Sequence, residues 1–289
     1  MTCCVSDTIA DLRLRVAHAR RGGLSVGLVP TMGALHAGHE SLIRAARGAC
    51  DFVVVSIFVN PTQFGPTEDF ARYPRTPQAD LELCARAGAA LVFMPTPEEM
   101  YGRGSLTVVA VPSLSATLCG ASRPGHFDGV CTVVAKLFNI VQPDKAFFGA
   151  KDYQQATILR RMAGDLDFPL EVAVCPTVRE EDGLAMSSRN RYLSPAQRAQ
   201  AVALHESLCL AARLAGQGER SAGRILAAMR EHLARRAPDA QIDYIQVVDP
   251  DSLQDVEIVD RPVQVLLAVR LGRARLIDNM RVDAGGADR

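Results

Sequence analysis

The stretch VGLVPTMGALHAGHESLIRAARGAC, Val26–Cys50, decides how the chain is read. Its first four residues, Val26–Val29, form an apolar run suited to a buried strand. Pro30 and the small residues after it end that run, and a helical pattern begins near Gly38. A strand that turns through small residues into a helix leaves unpaired N–H groups at the helix start. The helix dipole favours an anion there as well. His36 and His39 are three apart and share one face of the first helical turn. Gly38 has no side chain and lets a flat base approach the backbone. Three readings stay open on spacing alone: a nucleotide whose phosphates sit on the turn, a metal pair, and two histidines satisfied locally. The metal reading is short of ligands, because HxxH supplies two and no HExxH is present.

Working outward, apolar β-rich runs alternate with helical patterns. DFVVVSIFV (Asp51–Val59) reads as a strand buried on both faces, followed by a helix over Pro77–Gly88 and a strand over Ala90–Pro95. Val130, Val133, Val134, Leu137, Phe138 and Val141 are in helical register. AFFG (Ala146–Gly149) is a short strand, KDYQQATILRRMAGDL the next helix and LEVAVCPTV the next strand. Upstream, Ile9, Leu12 and Val16 share a helix face, with Ser6 or Asp7 as cap. This alternation predicts an α/β fold with a Rossmann-like parallel sheet and ligands beyond the carboxyl ends of its strands. After Val178 the texture changes. A polar loop, helical patterns over Ser194–Gly216 and Ser221–Ala237, and the strand-like QIDYIQVVD, VQVLLAVRL and ARLID predict a smaller α+β domain. The expected division is 1–177 and 178–289, and the terminal AGGADR reads as a frayed tail.

Composition narrows the function classes. The 289 residues carry 32 Lys+Arg and 32 Asp+Glu, which gives no global reason to bind nucleic acid or an anionic membrane. No apolar run reaches about 18 residues, so no membrane span is expected. The N-terminus lacks the pattern of a signal peptide. Eight cysteines without a CxxC pair fit reduced thiols packed as small hydrophobes in a cytoplasmic protein.

Candidate chemistry gathers just after the expected strands. Asn60 and Gln63 follow the second one, where amides donate to a carboxylate and accept from an amine or hydroxyl. Phe64–Tyr73, with Gly, Pro and acidic residues, is a candidate lid. Gly149 permits a tight reversal before Lys151, a cation at a helix start, where the dipole disfavours it unless an anion binds; Gln155 is one turn on. In GLAMSSRNR, Ser187, Ser188 and Arg189 suit phosphate oxygens. Solvated lysine, turn chemistry and helix capping are the local alternatives for these segments.

Over nearly its whole length the chain resembles the pantothenate synthetases, members of the nucleotidyltransferase superfamily that shares an HxGH-type motif with class I aminoacyl-tRNA synthetases. The stretches that carry the resemblance are PTMGALHAGH, SIFVNPTQF, YPRTPQAD, RPGHFDGV, AKLFNIVQPDKAFFGAKDYQQ, PTVREEDGLAMSSRNRYL and ARLIDN. It implies ATP-dependent condensation of (R)-pantoate with β-alanine through a pantoyl adenylate, giving pantothenate, AMP and pyrophosphate, in a homodimer whose second domain closes over the active site. Carried onto this chain, Met32, Gly33, Ala34, Leu35, His36, Ala37, Gly38 and His39 form the ATP-binding turn, with His39 as proton donor. Gln63 and Gln155 hold pantoate, Gln63 also lies near β-alanine, and Asn60 belongs to the same substrate-binding set. Gly149, Ala150, Lys151, Asp152 and Val178 line the nucleotide, and Met186, Ser187, Ser188 and Arg189 close on its phosphates. Mg²⁺ is expected with ATP, with Asp80 as a participant. Ala150 departs from the Glu usual in this family. Another adenylyltransferase acting on a phosphorylated acceptor, or an RNA-binding module, are the rival classes; the two glutamines and the zero net charge disfavour them.

Overall fold

The computed structural model describes residues 3–66, 68 and 70–283. The expected tail 284–289, and Thr67 and Asp69 of the expected lid, lie outside them. The described residues form two compact units. One contains residues 3–116, 123–150 and 155–176; the other contains 117–122, 151–154 and 177–283.

The first unit is built on a six-stranded sheet: β1 (Cys4–Ser6), β2 (Val26–Thr31), β3 (Phe52–Ile57), β4 (Leu91–Phe93), β5 (Lys145–Gly149) and β6 (Glu171–Cys175). All pairings are parallel, and the order is β1-β4-β3-β2-β5-β6. β2, an apolar run, and β3, rich in β-branched residues, are buried almost throughout, as inner strands of a parallel sheet are, and β2 continues through Pro30 to Thr31, past the end expected at Pro30. The helices Ala37–Ala49 and Pro77–Ala87 pack on one face. Ile43, Ala46, Leu83 and Cys84 join Val29, Val53, Val55 and Val92 in a common core. Burying a side chain such as Ile43 contributes about 1.5–3 kcal/mol. Strand order reverses between β2 and β5, since the chain runs outward from β2 through β3 to β4 and then returns to the other side. The crevice beyond the carboxyl ends at such a reversal is where open α/β sheets bind ligands, and the turn after β2 opens there.

Several boundaries differ from the sequence reading. The first helix, Ile9–Arg21, is capped by Thr8, whose hydroxyl accepts from the Asp11 N–H, not by Ser6 or Asp7. Ser6 belongs to β1, a strand too short to leave a periodic pattern. The helix after β5 begins with a 3-10 turn, Ala150–Asp152, before Tyr153–Asp165. The helical stretch expected over Ser194–Gly216 is two helices, Pro195–Ala201 and Ala203–Gly216, separated at Val202.

The second unit holds an antiparallel sheet, β7 (Gln241–Val248), β8 (Val263–Leu271) and β9 (Ala274–Val282), with β8 in the middle. Leu204, Leu208, Ile225, Met229 and Leu233 of its helices share a core with Val265, Leu267 and Val269. The short segments that join this unit are tied to it by side chains. Ser122 donates to Asp243, Tyr153 donates to the Pro250 carbonyl, and Asn279 donates to the Lys151 carbonyl.

Candidate functional site

The turn after β2 is held by polar contacts from three directions. The Thr31 hydroxyl donates to the Ser56 carbonyl at 2.7 Å and accepts from the Gly33 N–H at 3.3 Å. The N–H groups of Ala34 and Leu35 donate to the two carboxylate oxygens of Asp80, at 3.0 and 2.8 Å. Gly33 and Ala34 both have positive φ, +81° and +51°. Glycine is required at the first of these, because a Cβ there would stand 3.1 Å from both Asp80 Oδ2 and Ile57 Cγ2.

His36 is the N-cap of Ala37–Ala49. Its Nδ1 accepts from the Gly38 N–H at 3.2 Å, and Nδ1 of His39 accepts from the His36 N–H at 3.3 Å, a reciprocal capping box made of two imidazoles. The ring centroids are 4.1 Å apart. An Nδ1 that accepts from a backbone N–H carries no proton, so each neutral ring has its proton on Nε2. The local capping role and a donor role are therefore compatible: one nitrogen of each ring serves the helix and the other is an N–H donor.

Beyond β3, the chain makes a 3-10 turn over Pro61–Gln63. Asn60, expected to touch substrate, is 1% exposed and fully engaged within the protein. Its Nδ2 donates to Gln63 Oε1 and to the Gly129 carbonyl, both at 3.1 Å. Its Oδ1 accepts from the Thr62 N–H and hydroxyl and from Tyr101 Oη at 2.6 Å. Asn60 thus has no donor to spare for a ligand, and it sets the amide of Gln63 so that Nε2 faces Met32 Sδ at 2.9 Å. The helix His126–Val141 presses its Gly129 against this turn; a Cβ there would lie 2.7 Å from Gln63 Cα.

Arg123, His126 and Glu68 hold the same turn; Glu68 lies in the expected lid, and no role is expected of the other two. His126 Nδ1 lies 2.8 Å from the Gln63 carbonyl, Arg123 Nη1 is 2.9 Å from His126 Nε2, and Arg123 grips both oxygens of Glu68 at 2.6 Å. Burial pushes the Glu68 carboxyl up, but the hydrogen bonds and charge of Arg123 outweigh it and hold the group below its ordinary value. The only signal in the sequence was an Arg and a His flanking Pro-Gly ahead of an apolar helix. Gln155, also in the first unit, is half-buried on the helix Tyr153–Asp165.

In the second unit, Lys151, Ser187, Asn190 and Asp278 line one recess together with Leu204 and Leu276. Ser187 caps the 3-10 turn Ser188–Tyr192, its Oγ accepting from the Arg189 N–H. The loop that carries these hydroxyls is braced at its base. The Met186 N–H donates to the Val178 carbonyl, Asn190 Nδ2 bonds Glu180, and Arg179 makes a two-pronged pair with Asp278 at 2.7 and 3.0 Å. Gly149 ends β5 and Ala150 opens the turn that bears Lys151 and Asp152.

Residues 4–281 match the family model for pantoate-beta-alanine ligase. The chain belongs to the pantoate–β-alanine ligase family. A pantothenate synthetase of Moorella thermoacetica is 57% identical over 274 residues, covering 95% of this chain and 96% of that one. The crystal structure of a Thermus thermophilus pantothenate synthetase superposes with a TM-score of 0.91 at 48% identity, covering 96% and 98% of the two chains. A pantoate–β-alanine ligase of Francisella tularensis, solved with β-γ ATP and β-alanine, is similar with a TM-score of 0.79 at 33% identity over 96% and 97%. The parallel sheet and small antiparallel sheet are the ligase family's architecture, and among the described residues no helix is long and apolar enough to cross a membrane.

A metal was expected with ATP. Among the described residues no group of three or more His, Cys, Asp or Glu side chains could hold one. Asp80, the expected participant, is 2% exposed and spends its oxygens on the turn and on the Thr76 hydroxyl at 3.1 Å. The donor set does not form a protein cage for Mg²⁺, and no step is assigned to one.

Proposed function

We propose that the chain joins pantoate to β-alanine by way of a pantoyl adenylate. The reaction itself, ATP-dependent ligation of these two substrates, is the family's. In the adenylate route, a pantoate carboxylate oxygen attacks the α-phosphorus of ATP, the bond to the bridging oxygen breaks, and pyrophosphate leaves. The β-alanine amine then attacks the acyl carbon, the acyl–phosphate bond breaks, AMP leaves, and the ammonium proton passes to solvent. No side-chain nucleophile is required; catalysis of phosphoryl chemistry rests on positioning and on donors for developing charge.

The observation that carries the residue roles is the imidazole capping box. With Nδ1 of His36 and His39 committed to the helix, both rings carry an Nε2 proton, which supports their assignment as donors to ATP phosphate oxygens, His39 being the proton donor. In this reading Met32–His39 bind ATP, and Gly149–Asp152 and Val178 line the nucleotide. Lys151 and Met186–Arg189 take phosphate oxygens, Arg189 being suited to a two-pronged grip. Gln63 and Gln155 hold pantoate, and Asn60 acts by setting the Gln63 amide. Mg²⁺ would accompany ATP and would draw its ligands from phosphates and water and not from a protein cage, as this ion commonly does. The chain works as a homodimer in the cytoplasm.

The test is pyrophosphate release with ATP, Mg²⁺ and each acceptor in turn. Release that requires pantoate, with trapping of an acyl adenylate when β-alanine is omitted, is the expected result. Release independent of pantoate would defeat the proposal. Sedimentation at micromolar concentration checks the dimer.

A further inference from the structure

The loop that bears the two histidines places its backbone N–H groups where a phosphate could be cradled, yet a side chain already occupies that place. The successive left-handed residues Gly33 and Ala34 turn the N–H groups of Ala34 and Leu35 inward, onto Oδ2 and Oδ1 of Asp80 at 3.0 and 2.8 Å. Consecutive N–H groups arranged in this way form an anion nest. Here the anion is supplied by the protein, from 45 residues away in sequence. Ala34, fully buried, keeps a backbone conformation that L-residues avoid, so something must hold it there.

Asp80 is itself built in. It sits in the first turn of the helix Pro77–Ala87, where the dipole favours a carboxylate. Its N–H donates to the Thr76 carbonyl at 2.9 Å, and the Thr76 hydroxyl donates to Oδ1 at 3.1 Å. Thr76 is the N-cap of that helix but makes no side-chain cap bond. A residue type that ordinarily caps is here turned to the aspartate instead. The turn that Asp80 grips ends at His36, the residue next to Leu35, whose ring and that of His39 form the capping box.

We infer that Asp80 is a positioning residue of the ligase: its carboxylate fills the nest of the ATP turn, fixes the backbone at Ala34–Leu35, and thereby aims the rings of His36 and His39. The inference rests on the proposed adenylate route for its catalytic consequence. It also reassigns two expected contacts. Ala34 and Leu35 belong to the ATP turn by position, but their N–H groups serve Asp80, so phosphate oxygens are met there by imidazole N–H and not by this part of the backbone. Asp80 holds the loop instead of a metal ion.

The experiment compares wild type, Asp80→Asn and Thr76→Val. The amide keeps the shape of the carboxylate but removes its charge and turns one acceptor into a donor facing an N–H. Adenylate formation is followed by rapid quench at saturating ATP and pantoate, ATP affinity by calorimetry, Mg²⁺ dependence by titration, and imidazole tautomers by ¹⁵N NMR without substrates. For Asp80→Asn we expect adenylate formation slower by about 30-fold or more, as for a donor moved off its target. ATP affinity should change less than about threefold, and the Mg²⁺ half-saturation point should stay in place. The Nε2–H signature of His36 and His39 should weaken. Thr76→Val should slow the step by about threefold, in keeping with one lost hydrogen bond. An Asp80→Asn rate within about twofold of wild type, a loss borne wholly by ATP affinity, or a tenfold shift in Mg²⁺ dependence would each overturn the inference. If Asp80→Asn does not fold, Thr76→Val decides: an unchanged rate with unchanged tautomers overturns it. A wild type that forms no pantoate-dependent adenylate defeats the ligase route instead, while the NMR comparison still reads the clamp.

Discussion

The two segments suited to phosphate are held in place by opposite means. The turn Pro30–His39 contains no lysine or arginine. It is fixed by backbone donors, a buried aspartate and two imidazoles that cap a helix. The loop around Met186–Arg189 is fixed by ion pairs, Arg179 with Asp278 and Arg198 with Glu180 and Asp182. In the proposed roles the first would supply N–H donors whose direction is set by geometry. The second supplies cations, whose reach depends on the bracing of a polar loop. Each piece of chain is stabilised by the chemistry it can accommodate: short, small residues pack around the turn, and long charged side chains lace the loop.

The largest effects should come from removing a donor at the turn or the lysine that lines the recess beside the loop. His39→Ala and Lys151→Ala are each expected to slow single-turnover adenylate formation by at least about 10²-fold, the scale of a lost transition-state donor. An unchanged rate in both would break the comparison outright.

Bracing of the loop should show in stability. Asp278 has a side chain 1% exposed and Arg179 one of 22%. Arg179→Ala would leave that carboxylate buried and unpaired, at about 3 kcal/mol, reduced somewhat by the partial exposure of the arginine. Urea unfolding followed by circular dichroism measures it, and a change under about 0.5 kcal/mol would show that the loop stands without the pair.

Gln63 should separate the substrates. Gln63→Ala is expected to weaken pantoate by roughly tenfold, the value of a well-placed hydrogen bond to a charged group, with little change for ATP. Gly129→Ala, which pushes a Cβ into the Gln63 backbone, should do the same without touching the amide. Equal losses for both ligands in calorimetry would contradict the assignment.

The smallest effect concerns pH. The carboxyl of Glu68 is held below its ordinary value by Arg123, against burial. A depressed folded value means that the pair contributes its stability above the ordinary glutamate range and loses it as pH falls through the lower folded value. Glu68→Gln should therefore cost up to about 1 kcal/mol near neutrality and nothing at strongly acidic pH. Parallel stability–pH curves for the two proteins would refute the pairing.

What could be read from local pattern was read well where the pattern is local. β3 lies on a β-branched run and β2 on the apolar run that begins at Val26, and the helix after the turn starts one residue before Gly38. Local pattern does not show a partner that is distant in sequence. Asn60 has the residue type and the place of a substrate ligand, yet Gly129 and Tyr101, 69 and 41 residues away, use its amide. Asp80 has the side chain of a metal carboxylate, and in space both its oxygens accept from the turn after β2. His126 and Arg123 sit in a motif that gave no hint of the Gln63 carbonyl. β1 escaped because three residues show no period, and Thr8 displaced Ser6 as a cap because Ser6 is already in the sheet.

By itself the sequence determined the alternation of strands and helices, the strand–turn–helix with its two histidines, and the family, because periodicity and motif spacing are properties of neighbouring residues. Only the tertiary structure decided which polar groups are consumed by the protein. A hydrogen bond is satisfied by whichever partner folding brings within about 3 Å, and for Asp80, Asn60 and Gln63 those partners come from elsewhere in the chain.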